Sequence, residues 1–501
     1  MNGTSTNTSD SGQSKGTKIE SFQALLKQDL TKNTVKKPIT VTPYEQILEK
    51  LLESISAVDF KSLAGTGEDE NELKRYQYIV ICINEIIRYT REHKWPMCQY
   101  NEGIFIYNGA WWQKVDDNEL KHFLGKAAER LGMGKFLSQY VDTRKKLLEQ
   151  FHSSTFQKAP EPPAGKVLIN LRNGTFEISA KKQELRDPRP EDFLTYQLPF
   201  DYDEGADAVQ FMKYLDEVLP DKSRQMIIAE FLGSVFMPSL KHEKALLPYG
   251  SGANGKSVLF DVTAALIGEA NTVSYSLKSL TGDRGANARA CLSNKLLNYA
   301  SEIGKGINEI DTFKALVSGE PVEARYLYKD TFLLKRIPRM MFNCNELPHD
   351  SDQTEAFFRR CLIVPFDITI PEEKRDKNLA KRIVDNELSG VFNWVLDGLK
   401  RLMESENNSF TKSEAIVRQL EEYRTTSDSV KMFVEDENYQ PSNISEIRWR
   451  DFYSDYTQYC KENNYRPVNS HNFSRRLLST GITTSKNRSG KIILAEKKVF
   501  N

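Results

Sequence analysis

The chain has 501 residues, and its 69 basic side chains equal its 69 acidic ones, so the net charge is zero. Hydrophobic residues make up 39% and charged residues 28%, a composition typical of a folded protein and not of a disordered or fibrous one. This length allows three or four domains. The longest apolar stretch is too short to span a bilayer, and none of the six cysteines has C-x-x-C spacing. We therefore expect a cytoplasmic protein with reduced thiols and no membrane partner.

The N-terminal part of the chain is predicted to contain a polar tail and a mixed domain. Residues 1–40 begin with a run of Ser, Thr, Asn and Gly that can bury little apolar area, and we expect disorder there. Residues 41–215 show helical patterns, such as YEQILEKLLES and YQYIVICINEIIRYTREH, and hairpin signals at Asn108–Gly109 and Asn173–Gly174. These patterns predict an α+β domain with a collar or interaction role.

Residues 216–425 alternate short apolar strands with helical segments. The predicted strands are KALLPY, KLLNYA, PRMMFNC and RCLIVPF. Such alternation is typical of a parallel sheet covered by helices, so the predicted fold class is multidomain α/β. Pro248 is unusual in a central strand because it lacks a backbone N–H, and it leaves the length of the first strand open.

The segment GSGANGKS, residues 250–257, matches the phosphate-binding P-loop pattern G-x-x-x-x-G-K-[ST] between an apolar strand and the helical pattern SVLFDVTAALIG. Glycines let backbone N–H groups surround phosphates, and a helix N-terminus adds a positive dipole end. We expect Lys256 to neutralise the β- and γ-phosphates of ATP and Ser257 to ligate Mg²⁺. The predicted nucleotide-binding residues are Gly250, Ser251, Gly252, Ala253, Asn254, Gly255, Lys256, Ser257 and Val258.

Polar residues at the ends of two further strands are candidate catalytic groups. Glu302 follows the predicted strand KLLNYA, which we expect to lie beside KALLPY, the strand that precedes the P-loop. A carboxylate at this place can hold the Mg²⁺ shell and polarise the attacking water. An ordinary solvated glutamate is the alternative. Asn343 and Asn345 follow PRMMF, and an amide there can orient that water, although asparagines before Pro348 are also common in turns.

Two adjacent arginines, Arg359 and Arg360, precede the strand CLIVPF. A pair of arginines is usually a solvated surface feature. In ring ATPases, however, a neighbouring subunit supplies a cation to the transition-state phosphate, and such an arginine finger is worth about 10³ to 10⁵ in rate. We expect Arg360 to have this role, with Arg359 as the alternative.

Several motifs in order resemble the helicase portion of the phage and plasmid primase/helicase family, which includes poxvirus-type NTPase-primases and belongs to the superfamily 3 helicases of the AAA+ class. The matching segments, between roughly residues 85 and 500, are INLRNGTFEI, YQLPFDYD, GANGKS, ASEIG, FKALVSGEPVEARYLYKDTF, FNCNELP, FFRRCLIVPF and GVFNWVLDGL. The resemblance implies an AAA+ core in a hexameric ring that hydrolyses ATP and translocates on single-stranded DNA. It places Lys256 and Ser257 in the P-loop, Glu302 in the acidic motif, Asn345 at the sensor, and Arg359 with Arg360 at the finger.

The resemblance also implies a hairpin that reaches into the channel of the ring. Here it corresponds to GEPVEARYLYKDTF, with Arg325 and Lys329 as candidate phosphate contacts. Tyr326 or Tyr328 is a candidate for stacking on bases. An exposed hairpin with no role in DNA binding would show the same alternation of basic and aromatic residues.

Residues 426–501 are predicted to form a winged helix, a relative of the helix-turn-helix. The pattern gives three helices, SVKMFVEDE, EIRWRDFYSDYTQYCKEN and NSHNFSRRLLSTG, and then two strands about Asn487–Gly490. The last 41 residues carry nine basic and two acidic side chains, a net charge of +7, which favours DNA binding over a protein-interaction role. The candidate contacts are His471, Asn472, Arg475, Arg476, Lys486, Arg488 and Lys491.

These features predict an ATP-dependent replicative DNA helicase of a phage, plasmid or mobile element, acting on single-stranded and forked DNA as a homo-oligomer, expected to be a hexamer. Full-length family members often begin with a primase domain. The paired aspartates of the N-terminal half, Asp201 and Asp203, fall in the connector, so we expect no primer synthesis and a separate primase or initiator as partner. The alternative is a DNA-binding initiator or loader that uses ATP as an assembly switch.

Overall fold

The structure is a computed structural model that describes residues 36–65, 72–100, 103–157, 165–179, 182–237, 242–282, 284–303, 310–348, 355–463, 465, 467–488 and 490–498. Of the predicted polar tail, only residues 36–40 fall within this range. The helices are α1 (Tyr44–Ser54), α2 (Phe60–Ala64), α3 (Arg75–Glu92), α4 (Asp117–Arg130), α5 (Lys135–Gln139), α6 (Val141–Ser154), α7 (Val209–Val218), α8 (Lys222–Ser234), α9 (Lys256–Ile267), α10 (Leu277–Thr281), α11 (Gly285–Ala290), α12 (Ile310–Ser318), α13 (Glu355–Phe358), α14 (Leu379–Asn386), α15 (Leu388–Glu404), α16 (Glu414–Ser427), α17 (Ser429–Asp436), α18 (Trp449–Glu462) and α19 (Ser470–Ser479). None of these described helices has both the length and the apolar composition of a membrane span.

The strands form one parallel sheet and several small antiparallel ones. They are β1 (Met97–Tyr100), β2 (Gly103–Tyr107), β3 (Trp112–Lys114), β4 (Lys166–Leu171), β5 (Gly174–Ser179), β6 (Gln183–Arg186), β7 (Ala245–Tyr249), β8 (Thr272–Val273), β9 (Leu297–Ala300), β10 (Val322–Arg325), β11 (Thr331–Leu334), β12 (Arg339–Phe342), β13 (Cys361–Pro365), β14 (Tyr439–Arg448), β15 (Thr483–Asn487) and β16 (Gly490–Lys497).

The first folded region combines an antiparallel sheet, in the order β1–β2–β3, with helices α1 to α6. The apolar faces of α3 and α4 meet in its core, where Ile83 and Leu124 are fully buried. The predicted hairpin joins β2 to β3, but its loop spans residues 108–111 rather than two residues. The cause is local, since Asn108 Oδ1 accepts hydrogen bonds from the backbone N–H groups two and three residues further on.

A second antiparallel sheet, β4–β5–β6, carries the other predicted hairpin. Leu171 pairs with Gly174, so the turn consists of the two residues between them. The sequence places this sheet in an N-terminal domain that ends at residue 215. Its buried side chains instead share a core with α7, α8, α9 and α15, and the ring centroids of Phe176 and Phe392 lie 6.3 Å apart. A small sheet must bury one face, and here that face packs on the helices of the parallel sheet.

Five parallel strands form the central sheet in the order β13–β7–β12–β9–β8, and all four predicted strands are present. β7 is central despite Pro248, whose carbonyl oxygen accepts from the Cys344 N–H at 2.8 Å. The Phe342 carbonyl, which faces the position of the missing N–H, accepts the Cys344 thiol at 3.4 Å instead. The strand therefore runs its full length and delivers the following loop to the carboxyl edge of the sheet.

The last unit has the order helix, strand, helix, helix, strand, strand over residues 429–497. β14 and β15 both pair antiparallel with β16, and aromatic residues including Phe433 and Phe473 fill the core. The sequence predicts a helix from Glu446, but this residue and the next two pair with β16, and the helix begins at Trp449. β14 was not predicted because its polar, serine-containing sequence lacks the apolar alternation of a strand.

Candidate functional site

The loop of residues 250–255 connects the carboxyl end of β7 to the N-terminus of α9. Positive φ angles shape it: +114° at Gly252, +49° at Ala253 and +87° at Gly255. A side chain at Gly255 would be strained, because its Cβ atom would lie 2.9 Å from Val218 Cγ1 and 3.0 Å from the ring of Tyr214. The Tyr214 hydroxyl also donates to the Gly255 carbonyl oxygen at 2.8 Å. Helix α7 therefore packs against the end of the loop, directly before α9.

Lys256, the first residue of α9, is almost fully buried. Its ammonium donates to the Gly250 carbonyl oxygen at 2.6 Å and to Asn254 Oδ1 at 3.0 Å. Both acceptors are neutral, and burial lowers the pKa of Lys256. A buried cation with neutral partners gains electrostatic energy when an anion replaces them. The loop is therefore suited to bind a phosphate.

The other predicted loop residues divide into exposed and structural ones. Asn254 is buried and donates its side-chain amide to the Phe366 carbonyl oxygen at 3.3 Å, which ties the loop to the end of β13. Val258 is half-buried in the first turn of α9. The exposed residues are Ser251, Ala253 and Ser257. The Ser257 hydroxyl thus lies at the helix N-terminus, where a ligand can reach it.

Glu302 and Asn345 lie at the same edge of the sheet as the loop, just beyond β9 and β12, and both are exposed. The expectation that the Glu302 strand neighbours the loop strand is wrong, because β12 lies between β7 and β9. A strand later in sequence can insert between two earlier ones, which no local pattern reveals. Asn343 is buried, and its Oδ1 accepts the Tyr299 hydroxyl at 2.9 Å. Asn343 therefore has a structural role, whereas Asn345 is exposed at the edge of the sheet.

Arg359 and Arg360 lie at the opposite edge of the sheet, directly before β13. β13 runs parallel to β7, with Cys361 opposite Ala245. The five paired residues of these strands therefore separate the arginine pair from the loop, a distance of about 20 Å for six steps of ~3.3 Å per residue. Arginines in this position cannot contact a phosphate bound in the loop of their own chain.

The two arginines differ in their surroundings. The side chain of Arg360 is 7% exposed, pairs with Glu243 Oε2 at 2.9 Å and donates to Ser318 Oγ at 2.8 and 3.1 Å. It also donates to the Ala356 carbonyl oxygen at 2.9 Å. The side chain of Arg359 is 59% exposed and lies 3.4 Å from the same Glu243 oxygen. One arginine is thus held within its chain, and the other projects towards solvent.

The predicted hairpin is formed by β10 and β11, which pair antiparallel. Its tip carries Tyr328, 99% exposed at a φ of +61°, followed by the exposed Lys329. The exposed Arg325 donates Nε to the Lys329 carbonyl oxygen at 3.1 Å, which shapes the turn. Tyr326 is half-buried and stacks on Phe332 with ring centroids 5.4 Å apart. Tyr328 is therefore the freer of the two tyrosines.

A groove of about 820 Å³ opens between this hairpin and helices α10 and α11. No acidic side chain of the described residues lines it, whereas cations, an amide and tyrosines do: Lys278, Arg284, Arg325, Asn287, Tyr275 and Tyr326. Sequence reasoning found only the hairpin side of this groove. The spacing of Tyr275, Lys278 and Arg284 carried a weak signal, since basic residues beside an aromatic one are typical of nucleic-acid sites.

In the last unit, helix α19 presents His471 and Arg475 to solvent, and Asn472 is half-buried. Arg476 was predicted on the same surface, but it lies on the inner side of the helix, 3.7 Å from Asp428. Residues one position apart on a helix point about 100° away from each other, which explains the difference. Arg476 therefore belongs to the packing of α19 on α17.

The hairpin of β15 and β16, predicted to be the wing, carries Lys486, Arg488 and Lys491, all exposed. Lys491 donates to Ser474 Oγ at 2.7 Å and lies over the ring of Trp449, 5.1 Å from its centroid. Lys491 thereby joins this hairpin to α18 and α19.

Two family models match separate parts of the chain. Residues 84–220 match the family described as D5 N terminal like. Residues 249–360 match a family of unknown function, DUF5906. The second match includes the loop, Glu302, the hairpin and both arginines, so these features lie together in one family segment.

Three viral proteins that bear the name "Putative helicase" are similar to the chain. The one from Acanthamoeba polyphaga mimivirus is 28% identical over 40% of this chain and 22% of its own length. Those of Invertebrate iridescent viruses 6 and 3 are each 23% identical, over 46% and 40% of this chain and 27% and 23% of their own lengths. The chain is thus a relative of these viral proteins and spans about a quarter of their length.

Among solved structures, the apo C-terminal region of NrS-1 is similar to the chain. It is 15% identical, with a TM-score of 0.44, over 82% of this chain and 97% of that chain. Its A form is 12% identical, with a TM-score of 0.43, over 81% and 98%.

Proposed function

We propose that the chain is an ATP-driven DNA motor that works as a ring, the replicative helicase of a phage, plasmid or other mobile element. The observation that carries this proposal is the placement of the loop of residues 250–255 and the arginine pair at opposite edges of one parallel sheet. One protomer cannot complete its own site. Two protomers can, when the arginine edge of one faces the loop edge of the next, and such head-to-tail contacts close into a ring.

Mg·ATP is the substrate that fits the loop edge. Lys256 exchanges its two neutral partners for oxygens of the β- and γ-phosphates, and the Ser257 hydroxyl ligates Mg²⁺. Glu302, exposed at the same edge, holds the Mg²⁺ shell and polarises the attacking water. Asn345 orients that water. Asn343 is excluded from this role because its amide oxygen is engaged with Tyr299.

The arginine pair completes the site of the neighbouring protomer in this proposal. Arg359 is exposed and can reach outwards once it gives up a single contact of 3.4 Å with Glu243. Arg360, the residue expected from the sequence to have this role, reaches a neighbouring nucleotide only after its contacts with Ser318 and Glu243 are broken. Both arginines are therefore candidates for the finger.

The groove beside the hairpin is the proposed path of single-stranded DNA. Lys278, Arg284 and Arg325 can track the phosphate backbone, and tyrosine rings supply faces on which bases of any sequence stack. The volume of about 820 Å³ is of the size that binds small ligands, so it accommodates a nucleotide unit. The exposed Tyr328 at the hairpin tip extends this surface outwards.

The last unit is a proposed winged helix that binds DNA. Its element order and its three-stranded sheet support this assignment, as do the exposed cations of α19 and the wing. Arg475, Lys486, Arg488 and Lys491 are the proposed phosphate contacts. Arg476 is not among them, because it pairs with Asp428.

Steady-state ATP hydrolysis with and without single-stranded DNA, together with unwinding of a forked duplex, tests the proposal. A motor hydrolyses ATP severalfold faster on single-stranded DNA and separates the fork only when ATP is present. Slow hydrolysis that ignores DNA, combined with tight duplex binding, would instead support an initiator or loader that uses ATP as an assembly switch.

A further inference from the structure

We propose that Ser318 is a positioning residue that links the DNA-binding hairpin to the arginine pair. The link would let DNA held by one protomer control hydrolysis in the nucleotide site of its neighbour. This inference rests on the proposed function, because it assumes that the hairpin holds DNA and that the arginines act on a neighbouring nucleotide.

Ser318 occupies the junction between these two features. It is the last residue of α12, and its Oγ accepts two hydrogen bonds from one guanidinium, from Arg360 Nε at 3.1 Å and from Nη2 at 2.8 Å. Strand β10 of the hairpin begins at Val322, only four residues later. One oxygen atom thus contacts the arginine and lies at the base of the hairpin.

The segment that connects Ser318 to the hairpin is short and hydrogen-bonded. Gly319 adopts a φ of +72°, and the Glu320 N–H donates back to the Ala315 carbonyl oxygen at 2.9 Å, so the chain makes a tight turn at the end of α12. A displacement of β10 is therefore transmitted to the end of α12 rather than absorbed in a loose loop.

Helix α12 also packs on the segment that carries the arginines. The ring centroids of Phe313 and Phe357 lie 5.1 Å apart, and Phe357 precedes Arg360 by three residues. The Phe357 carbonyl oxygen accepts the Arg360 backbone N–H at 2.9 Å. Packed side chains have few intermediate arrangements, so a shift of α12 changes the contacts of Arg360 in a discrete step.

The proposed sequence of events follows from these contacts. Without DNA, Ser318 and Glu243 hold the Arg360 guanidinium within its own chain. When single-stranded DNA occupies the groove, the hairpin shifts and the hydrogen bonds between Ser318 and Arg360 break. Arg360 then becomes free to approach the phosphates in the adjacent protomer. DNA acts here by favouring one of two arrangements of the same residues.

The test compares the DNA stimulation of ATP hydrolysis, which is the rate with single-stranded DNA divided by the rate without it, in the full chain. Ser318→Ala removes the hydroxyl, so we expect stimulation to fall by roughly fivefold or more while the DNA-free rate is kept or raised. Ser318→Thr retains a hydroxyl and should keep the stimulation of the unaltered chain. The affinity for single-stranded DNA, measured by fluorescence anisotropy with a labelled oligonucleotide, should be kept or raised in Ser318→Ala, because DNA no longer has to break the Ser318 contact when it binds.

Ser389→Ala is the matched control, since Ser389 is also half-buried and accepts a hydrogen bond, from the Asp203 N–H at 2.8 Å, away from the hairpin. Unchanged stimulation in Ser318→Ala would overturn the inference. So would a proportional loss of both rates, because that indicates general damage or a direct catalytic role. An unaltered chain that shows no stimulation would refute the proposed function itself, which keeps the two failures apart.

Discussion

The ammonium of Lys256 lies 2.6 Å from the carbonyl oxygen of Gly250, so the lysine closes the loop onto its own first residue. This contact connects the first residue of the loop to the first residue of α9. It also leaves the cation with neutral partners in a buried position, where an arriving phosphate gains a strong interaction.

Replacing Lys256 by alanine should weaken ATP binding by about 10- to 100-fold, because a hydrogen bond to a charged group is worth roughly 1.5–3 kcal/mol. Hydrolysis should fall below detection. Titration with a fluorescent ATP analogue measures the first effect and phosphate release the second. Lys222→Ala is the control, since Lys222 pairs with Asp216 on the surface. Binding of unchanged strength in Lys256→Ala would contradict the assignment of the loop.

Glu302→Gln should retain ATP binding and lose turnover by about 10²-fold or more, because the amide cannot polarise the attacking water as a carboxylate does. The measurement is a single-turnover assay beside equilibrium binding. Glu346→Gln provides a control, because Glu346 is an exposed glutamate in the neighbouring segment just beyond β12. Equal loss in both variants would remove the special role of Glu302.

The groove predicts a distinct salt dependence. Lys278→Ala and Arg325→Ala should each weaken binding of single-stranded DNA and lower the slope of log affinity against log salt by about 0.7 per lost phosphate contact. Tyr328→Ala should weaken binding by roughly 1–3 kcal/mol without changing the slope, because stacking releases no counterions. Anisotropy titrations over a range of salt concentrations measure both quantities. Lys381→Ala, which removes a cation paired with Asp385 on α14, should change neither.

Much of this site could be predicted from the sequence. The features that could not be predicted depend on the order of the strands or on contacts between distant residues. The loop is local: its glycines, lysine and following helix are one continuous segment. By contrast, the position of Glu302 two strands from the loop depends on the insertion of β12, which is later in the chain. The burial of Arg360 also depends on Ser318, 42 residues earlier, and such pairings leave no trace in a local pattern.

Prediction of the fold from the sequence was limited in the same way. Helices and strands with apolar periodicity, such as α3 and β7, were predicted, whereas β1, β6 and β14 have short or polar sequences and were not. The association of β4 and β5 with the core of the parallel sheet arises from tertiary packing around residues such as Phe176 and Phe392. Sequence therefore predicts these elements better than it predicts which of them pack together.

Acid should destabilise the fold partly through His242. Burial, together with the nearby charge of Arg339, lowers the pKa of His242 from 6.5 to about 4. The unfolded chain therefore binds one more proton than the folded chain between these values, and stability is lost as pH falls from about 6.5 to 4. The full effect is at most about 3 kcal/mol. Urea unfolding across this range should show a shallower pH dependence for His242→Gln, and identical slopes would contradict the role of His242.

The most direct test of the shared site mixes two inactive variants and measures ATP hydrolysis. Lys256→Ala lacks a working loop but keeps both arginines, whereas the double variant Arg359→Ala/Arg360→Ala keeps the loop and lacks the arginines. If the arginines of one protomer complete the site of the next, an equal mixture restores activity at about a quarter of the interfaces of a randomly assembled ring. A mixture that stays as inactive as its components, although the proteins co-assemble, would contradict the account.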